Sequence, residues 1–522
     1  MNLKVTLSSI LFSLSCAGFA QLKDTVSVKS NSFYEDYFTD MSQNPLYLSH
    51  YKIKDFTQTQ IEYQNKDLKF KRRQTASSTD AFKFSTQGIY NYSSKLRVFG
   101  NFTVSKILED DLGFNFSSKR TEDQIILAPN YYYAPKTGNW DIQKYALEGG
   151  ANYSFDNGLL VGAVINYANE KHYRKVDPRP EILVHNVVAK GFLGYSYKQH
   201  KINGYLGIGK NTEESDIIYV DKLLNAPNLE ETFIRFNSGY GYNSFNASYN
   251  NYMFRGITNL WGAGYQFNQN KNSFTLNYQY SKLLEDLYQK TILSNGTSEL
   301  LLDKNKITHK YRDITHLTNF SYKYDGDNID FATQAYFKFS KKENYSLLAL
   351  GQNFRYVENT FGLDNKIIKR ENGRTQYAFN FGAKYSRNIV KDLLTVVDKK
   401  IHYLELSLNA NTDLFKNERN RINTEVYFKH YNALSDHLHY NPSGSNPTFG
   451  DKVIKNDHGY DVTSKLTTGF QVNYDIAFKK CDFRIFGTYQ SLFATGNQYK
   501  EFTSNLIDRP NQTGTIGLAI IY

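Results

Sequence analysis

Asp436, His437 and His439, with Asp457 and His458 further along, form the best candidate metal site in this chain. Two imidazoles and a carboxylate supply the nitrogen and oxygen donors that zinc or iron accepts. The residues fall on a stretch read as an irregular loop, Ala433 to Asp461, so they converge only if that loop folds back. A His-x-His on such a loop lacks the fixed spacing of an established motif, and ordinary surface histidines are the commoner meaning. Ser435, Asp436 and His437 also offer the residue types of a hydrolytic site. Adjacency in sequence does not make a triad, whose members converge from separate parts of a fold. No Gly-x-Ser-x-Gly surrounds them. Gly207 with Gly209, and Gly239 with Gly241, begin a phosphate-cradling spacing, but Thr212 and Ser244 stand where a third glycine is needed. These glycines are read as relieving crowding within strands. No catalytic, cofactor-binding or metal-ligating residue is assigned, and no cofactor is expected.

The net charge of +11 would suit an anion-attracting lumen or contact with anionic lipopolysaccharide. The charges that alternation places inward are nevertheless mixed: Lys338, Arg421, Lys429 and Arg484 accompany Asp330, Glu425 and Asp475. No basic cluster is interleaved with stacking aromatics, which excludes nucleic acid as a partner. Asn130-Tyr131-Tyr132-Tyr133-Ala134-Pro135, followed by Gly138-Asn139-Trp140, is read first as anchoring at a membrane interface and second as a surface for sugars or protein.

The elements that must position these residues read as β-strands. Asn328 to Ser340 puts Ile329, Phe331, Ala335, Phe337 and Phe339 on one face and Asp330, Gln334 and Lys338 on the other. Asn272 to Ser281 and Arg421 to Tyr431 repeat the division. Tyr (43) and Phe (37) dominate an aromatic fraction of 16%, a bias towards pleated and interfacial surfaces. No stretch after the N-terminus reaches the roughly 18 to 20 apolar residues of a membrane helix. A mean hydropathy of −0.57 fits a barrel whose strands show lipid only alternate side chains.

Tight turns at Asp156-Asn157-Gly158, Gln199-His200 and Asp325-Gly326-Asp327 alternate with longer links, read as Leu108 to Ile142, Lys171 to Ile182, Asn211 to Glu230, Leu283 to Arg312 and Ala433 to Asp461. Short turns inside and long loops outside are the outer-membrane pattern. The expectation is an all-β, transmembrane, antiparallel up-and-down barrel of about 20 strands, with 18 or 16 as alternatives and long extracellular loops.

Residues 1–20 have the charged, apolar and small-residue order of a signal peptide cleaved after Ala20. A lipoprotein reading would acylate Cys16, but Ser13 stands where such a motif prefers leucine. Cys481 would be the mature chain's only thiol, which excludes an intramolecular disulfide. Residues 21–52, with the turn Asn44-Pro45-Leu46, are read as an N-terminal periplasmic segment and 53–522 as the barrel. Thr515, Gly517, Ile520 and Tyr522 resemble the C-terminal signal by which barrel-insertion machinery recognises its clients.

Pro129 to Ala134, Gly138-Asn139-Trp140 and Tyr145 to Gly150, with the tyrosine-rich strands and Tyr522, resemble a family of Bacteroidota outer-membrane barrels that has no established activity. Members are often described beside TonB-dependent receptors and surface lipoproteins. The resemblance implies a non-enzymatic barrel in the cell outer membrane, accessory to nutrient or metal uptake, with such a receptor or lipoprotein as partner beside the surrounding lipid and lipopolysaccharide. An autonomous channel or transporter is the alternative, and a membrane-embedded hydrolase the third. A TonB-dependent receptor itself is disfavoured, since only roughly 30 residues lie between the signal peptide and the first strand and leave no room for a globular plug.

Overall fold

The computed structural model describes residues 44–46, 55–120, 125, 128–221, 229–241, 243–244, 252–289, 291–292, 298–299, 307–371, 374–417, 419–441, 449–496 and 509–522. The expected signal peptide, Cys16 and most of the segment 21–52 lie outside the described residues.

Eighteen strands form one antiparallel sheet that closes on itself. In chain order they are β1 (Phe56–Asp67), β2 (Ser78–Asn91), β3 (Leu96–Leu112), β4 (Gly138–Ser154), β5 (Leu159–Arg174), β6 (Arg179–Tyr197), β7 (His200–Ile218), β8 (Tyr252–Gln269) and β9 (Asn272–Gln289). They continue as β10 (Ile307–Asp325), β11 (Ile329–Ser346), β12 (Gly351–Glu371), β13 (Arg374–Asp392), β14 (Val397–Lys416), β15 (Asn420–His439), β16 (Lys465–Ala477), β17 (Asp482–Ala494) and β18 (Asn511–Ile521). Closure pairs β1 with β18, from Gln58 opposite Ile521 to Asp67 opposite Gln512. Reciprocal Thr57 and Tyr522 backbone hydrogen bonds of 2.7 and 2.9 Å extend the seam.

The alternation inverts the usual placing of apolar groups. On β11, Ile329 and Phe337 are exposed outside while Asp330 and Ser340 are buried inside. Leu206, Ile208, Leu193, Ile165, Ile257 and Ile516 are likewise exposed on the outer wall. So much apolar area facing outward is expensive in water and matched in lipid, so this is a membrane-spanning barrel of the outer-membrane type.

The count of eighteen falls within the expected range of about 20, 18 or 16, and polar inward residues extend several strands into stretches read as loops. β5 and β6 run to Arg174 and from Arg179, leaving only 175–178 of the expected long link from Lys171 to Ile182. β7 continues to Ile218 as Glu213, Ser215 and Ile217 keep facing inward. β9 likewise reaches Gln289, and β15 continues to His439. The length asymmetry holds: every turn at one end spans two to four residues, while the other end carries 113–137, 219–251, 290–306, 440–464 and 495–510.

Several of these long loops enter the barrel. Asn130–Tyr133, Arg235–Ser238 and Asn243–Ser244 form a small antiparallel sheet. Lys455–Val462 is a helix, α1, continuous with a wider turn at Gly450–Ile454. At the opposite mouth Leu46, 1% exposed, packs among Phe56, Ile89, Phe99, Leu160, Val164, Phe192 and Ile521.

Candidate functional site

The inner sheet crosses the lumen with one core on each face. Period-two alternation sends Tyr131 and Tyr133 to one side and Tyr132 to the other. Tyr131 and Tyr133 join Phe114, Phe449, Val453 and Ile454 against Phe354 and Tyr356 of β12, Val390 of β13 and Val397 of β14. Tyr132 joins Phe116, Trp140 and Phe236 against Ile182 of β6, Ile217 of β7, Phe254 of β8 and Leu287 of β9. Its ring lies 5.0 Å from Tyr252 and 4.9 Å from Phe236, while Tyr133 lies 4.9 Å from Phe449. Trp140 and Tyr133 are each 1% exposed. The aromatic run is therefore neither an interface belt nor an open contact surface; it is the core of a plug.

Polar groups fix the sheet's register. Asn130 donates to Asn344 at 2.8 Å, Asn344 to Asn353 at 3.0 Å, and Asn353 to the Ser238 carbonyl. Gln74 donates to the Tyr131 hydroxyl at 2.6 Å and the Phe114 carbonyl at 2.8 Å. Gly239 and Gly241 sit at φ +127° and +105°, in the loop and not in a strand as the sequence suggested. Their twist lets the Tyr240 N–H donate to the Asp392 carboxylate at 2.5 Å.

A buried ionic knot ties α1 to the wall. Asp461 accepts from Arg72 at 2.7 Å and from Lys399 of β14 at 2.6 Å, with all three side chains buried. Asp457 accepts the Arg73 N–H at 2.6 Å. Burial pushes the Asp457 carboxyl up to about 7, against the pull of Arg72. Burial and the charge of Lys399 push His458 down to about 4. On the far side Lys119 contacts both oxygens of Glu285 at 2.7 Å, Ser118 bonds Glu213, and Arg120 pairs with Glu109 at 2.6 Å over the Trp140 ring. Beside them lies a cavity of about 290 Å³, lined by polar groups such as Gln64, Glu109, Arg120 and His172 and by apolar ones such as Ile107 and Ile142.

The inward charges read from sequence are mostly paired. Lys338 meets Glu358 at 2.9 Å, Lys429 meets Glu405 at 3.0 Å, Arg421 meets Asp413 at 2.7 Å, and Arg484 meets Asp475 at 2.5 Å.

The candidate metal and hydrolytic residues do not assemble. Asp436 lies on β15, not on a loop, and points inward to His458 Nε2 at 3.2 Å. Leu438, on the same face, packs against the lumenal core, so His437 and His439 face the other way. Ser435 and His437 are separated from Asp436 by the same alternation. Among the described residues no three His, Cys, Asp or Glu side chains are grouped to hold a metal ion. Sequence reading missed Asp461, Arg72 and Lys399, which only the fold brings together.

A closed apolar-outside wall with loops packed into its mouth defines an outer-membrane-type β-barrel plugged by its own loops. The chain belongs to a family of unknown function (DUF6850), whose sequence profile matches residues 45–522. No curated protein matches it. Among solved structures it is similar to BauA, the ferric preacinetobactin receptor of Acinetobacter baumannii, at 9% identity and TM-score 0.42, covering 90% of this chain and 80% of that one. The ferric-catecholate import receptor Fiu of Escherichia coli K12 gives 7%, 0.42, 90% and 82%. The outer membrane transporter YddB of E. coli gives 6%, 0.39, 90% and 81%. Likeness this faint leaves function to be argued from the chain's own geometry.

Proposed function

We propose that the protein is a non-enzymatic outer-membrane barrel, accessory to a nutrient or metal uptake system, that serves as a closed platform and not as a standing pore. One observation carries this reading: the inner sheet packs on both faces against opposite walls. An eighteen-stranded wall would by itself enclose an aqueous channel. Filling that channel with aromatic core and buried ion pairs leaves passage to another component, and leaves the outer wall and loop surface for contact with it.

Planar-bilayer recording of the purified barrel tests the closure; the expected result is no steady conductance. Tagged purification from native outer membranes tests the accessory role. Stoichiometric recovery of a TonB-dependent receptor or surface lipoprotein is expected. A solitary, conducting barrel would transfer the assignment to the autonomous channel.

A further inference from the structure

Among the described residues, the outer face of the wall carries a cavity of about 1200 Å³ beneath the loop end of β6 to β12. Its apolar lining is Ile208 and, in the row of Lys210, Val187, Ile257 and Leu284, all exposed. Its upper part is charged. Strand register sets the transition: Lys210, Ile257, Leu284, Arg312 and Glu343 stand opposite one another on consecutive strands. The next outward row towards the loops is Arg255, Asp286 and Lys310.

Among the described residues these charges are not balanced. Arg312 is engaged by Glu343. The Arg255 Nε is buried with no hydrogen-bond partner. The Lys210 and Lys310 side chains make no ion pair or hydrogen bond with any described residue beyond the backbone ladder that holds their strands. Among the described residues that line the cavity, Glu285 is held by Lys119 and Glu343 by Arg312, so three cations face one further carboxylate, Asp286, where the apolar belt gives way to polar side chains. Cations at that depth are costly unless something beside them carries negative charge, and what surrounds an outer wall there is lipid.

We propose that this cavity seats a phosphorylated glycolipid of the outer leaflet, the lipid anchor of lipopolysaccharide. Its acyl chains lie along Val187, Ile208, Ile257 and Leu284, and its phosphates meet Arg255, Lys210 and Lys310. The apolar floor matches a chain and the unbalanced cations match the headgroup. Loss of the accessory role would leave this proposal standing, because it requires only insertion in the membrane.

The test reconstitutes the barrel in phosphatidylcholine nanodiscs doped with bisphosphorylated lipid A or with its dephosphorylated form, then counts retained lipid by native mass spectrometry after detergent extraction. The wild-type barrel is expected to retain the phosphorylated form selectively. Arg255→Gln with Lys310→Gln is expected to lower retention by about tenfold or more, since each cation near a charged headgroup contributes several-fold. Lys338→Gln, inside the lumen, serves as a control and is expected to change nothing. Equal retention of both lipids by the wild type, or undiminished retention by the double variant, would overturn the proposal. So would a dimer in undoped nanodiscs that covers the cavity with a second copy.

Discussion

Asp461 concentrates the plug's electrostatics in one carboxylate. Its two oxygens neutralise Arg72 and Lys399, neither of which has ready access to water. Removing one member of such a group leaves uncompensated buried charge, at a cost of about 3–5 kcal/mol. Asp461→Ala is therefore expected to raise hydrogen exchange sharply along α1 and in the inner sheet, while the β1–β18 seam stays protected. Asp457 and His458 give the same helix a pH response of two opposed parts. The folded Asp457 carboxyl titrates near 7 against an ordinary 3.8, so between those values the folded state holds more protons and loses stability as pH rises. His458 titrates near 4 against 6.5, so in that window the unfolded state holds more protons and stability grows with pH. The slopes offset each other where the windows overlap. Asp457→Asn is expected to make the plug more stable at pH 6.5 than at pH 4.5, and His458→Gln to reverse the order, read by hydrogen exchange of α1.

Within the inner sheet, backbone geometry and side-chain packing depend on each other. A Cβ at Gly239 would lie 2.4 Å from the Asp392 carboxylate that receives the Tyr240 N–H, at a φ of +127° that disfavours any side chain. Gly239→Ala is expected to destabilise the sheet by about 1–3 kcal/mol, seen as protease sensitivity near 235–244 with the wall intact. At the other mouth, Leu46→Ala empties a fully buried site and is expected to cost about 2–5 kcal/mol, measured as a lower melting temperature in detergent. How much of this was legible depended on which neighbour each residue met. Alternation identified the wall, because Ile329, Phe331, Phe337 and Phe339 must face one medium whatever else the chain does. The same period-two rule holds in Asn130–Tyr133, yet nothing local says that both of its faces would be covered. Glu213 and Asp436 were taken for loop residues because a polar inner face extends a strand without an apolar signal. The pairing of Asp461 with Arg72 joins positions 389 residues apart, a distance across which sequence spacing carries no information.

As a whole, the molecule is a tube with a membrane-facing outside, an inner sheet across its lumen at the loop end and Leu46 seated against the wall at the other. The net charge of +11 does not stand free at these lumenal positions, because Lys338, Lys429, Arg421 and Arg484 are each held by a carboxylate. Excising 450–462, which removes α1 and its preceding turn, is expected to expose the lumenal faces of β12 to β15 and convert a silent bilayer recording into discrete conductance steps. The inner sheet also has a mechanical meaning. A wide, thin-walled cylinder yields most easily by flattening, and a bilayer presses on it from every side. A sheet wedged between β6–β9 and β12–β14 is a strut across the diameter along which flattening would occur. The tube can therefore hold a round cross-section under lateral pressure, and a neighbour leaning on its outer wall meets a stiff surface.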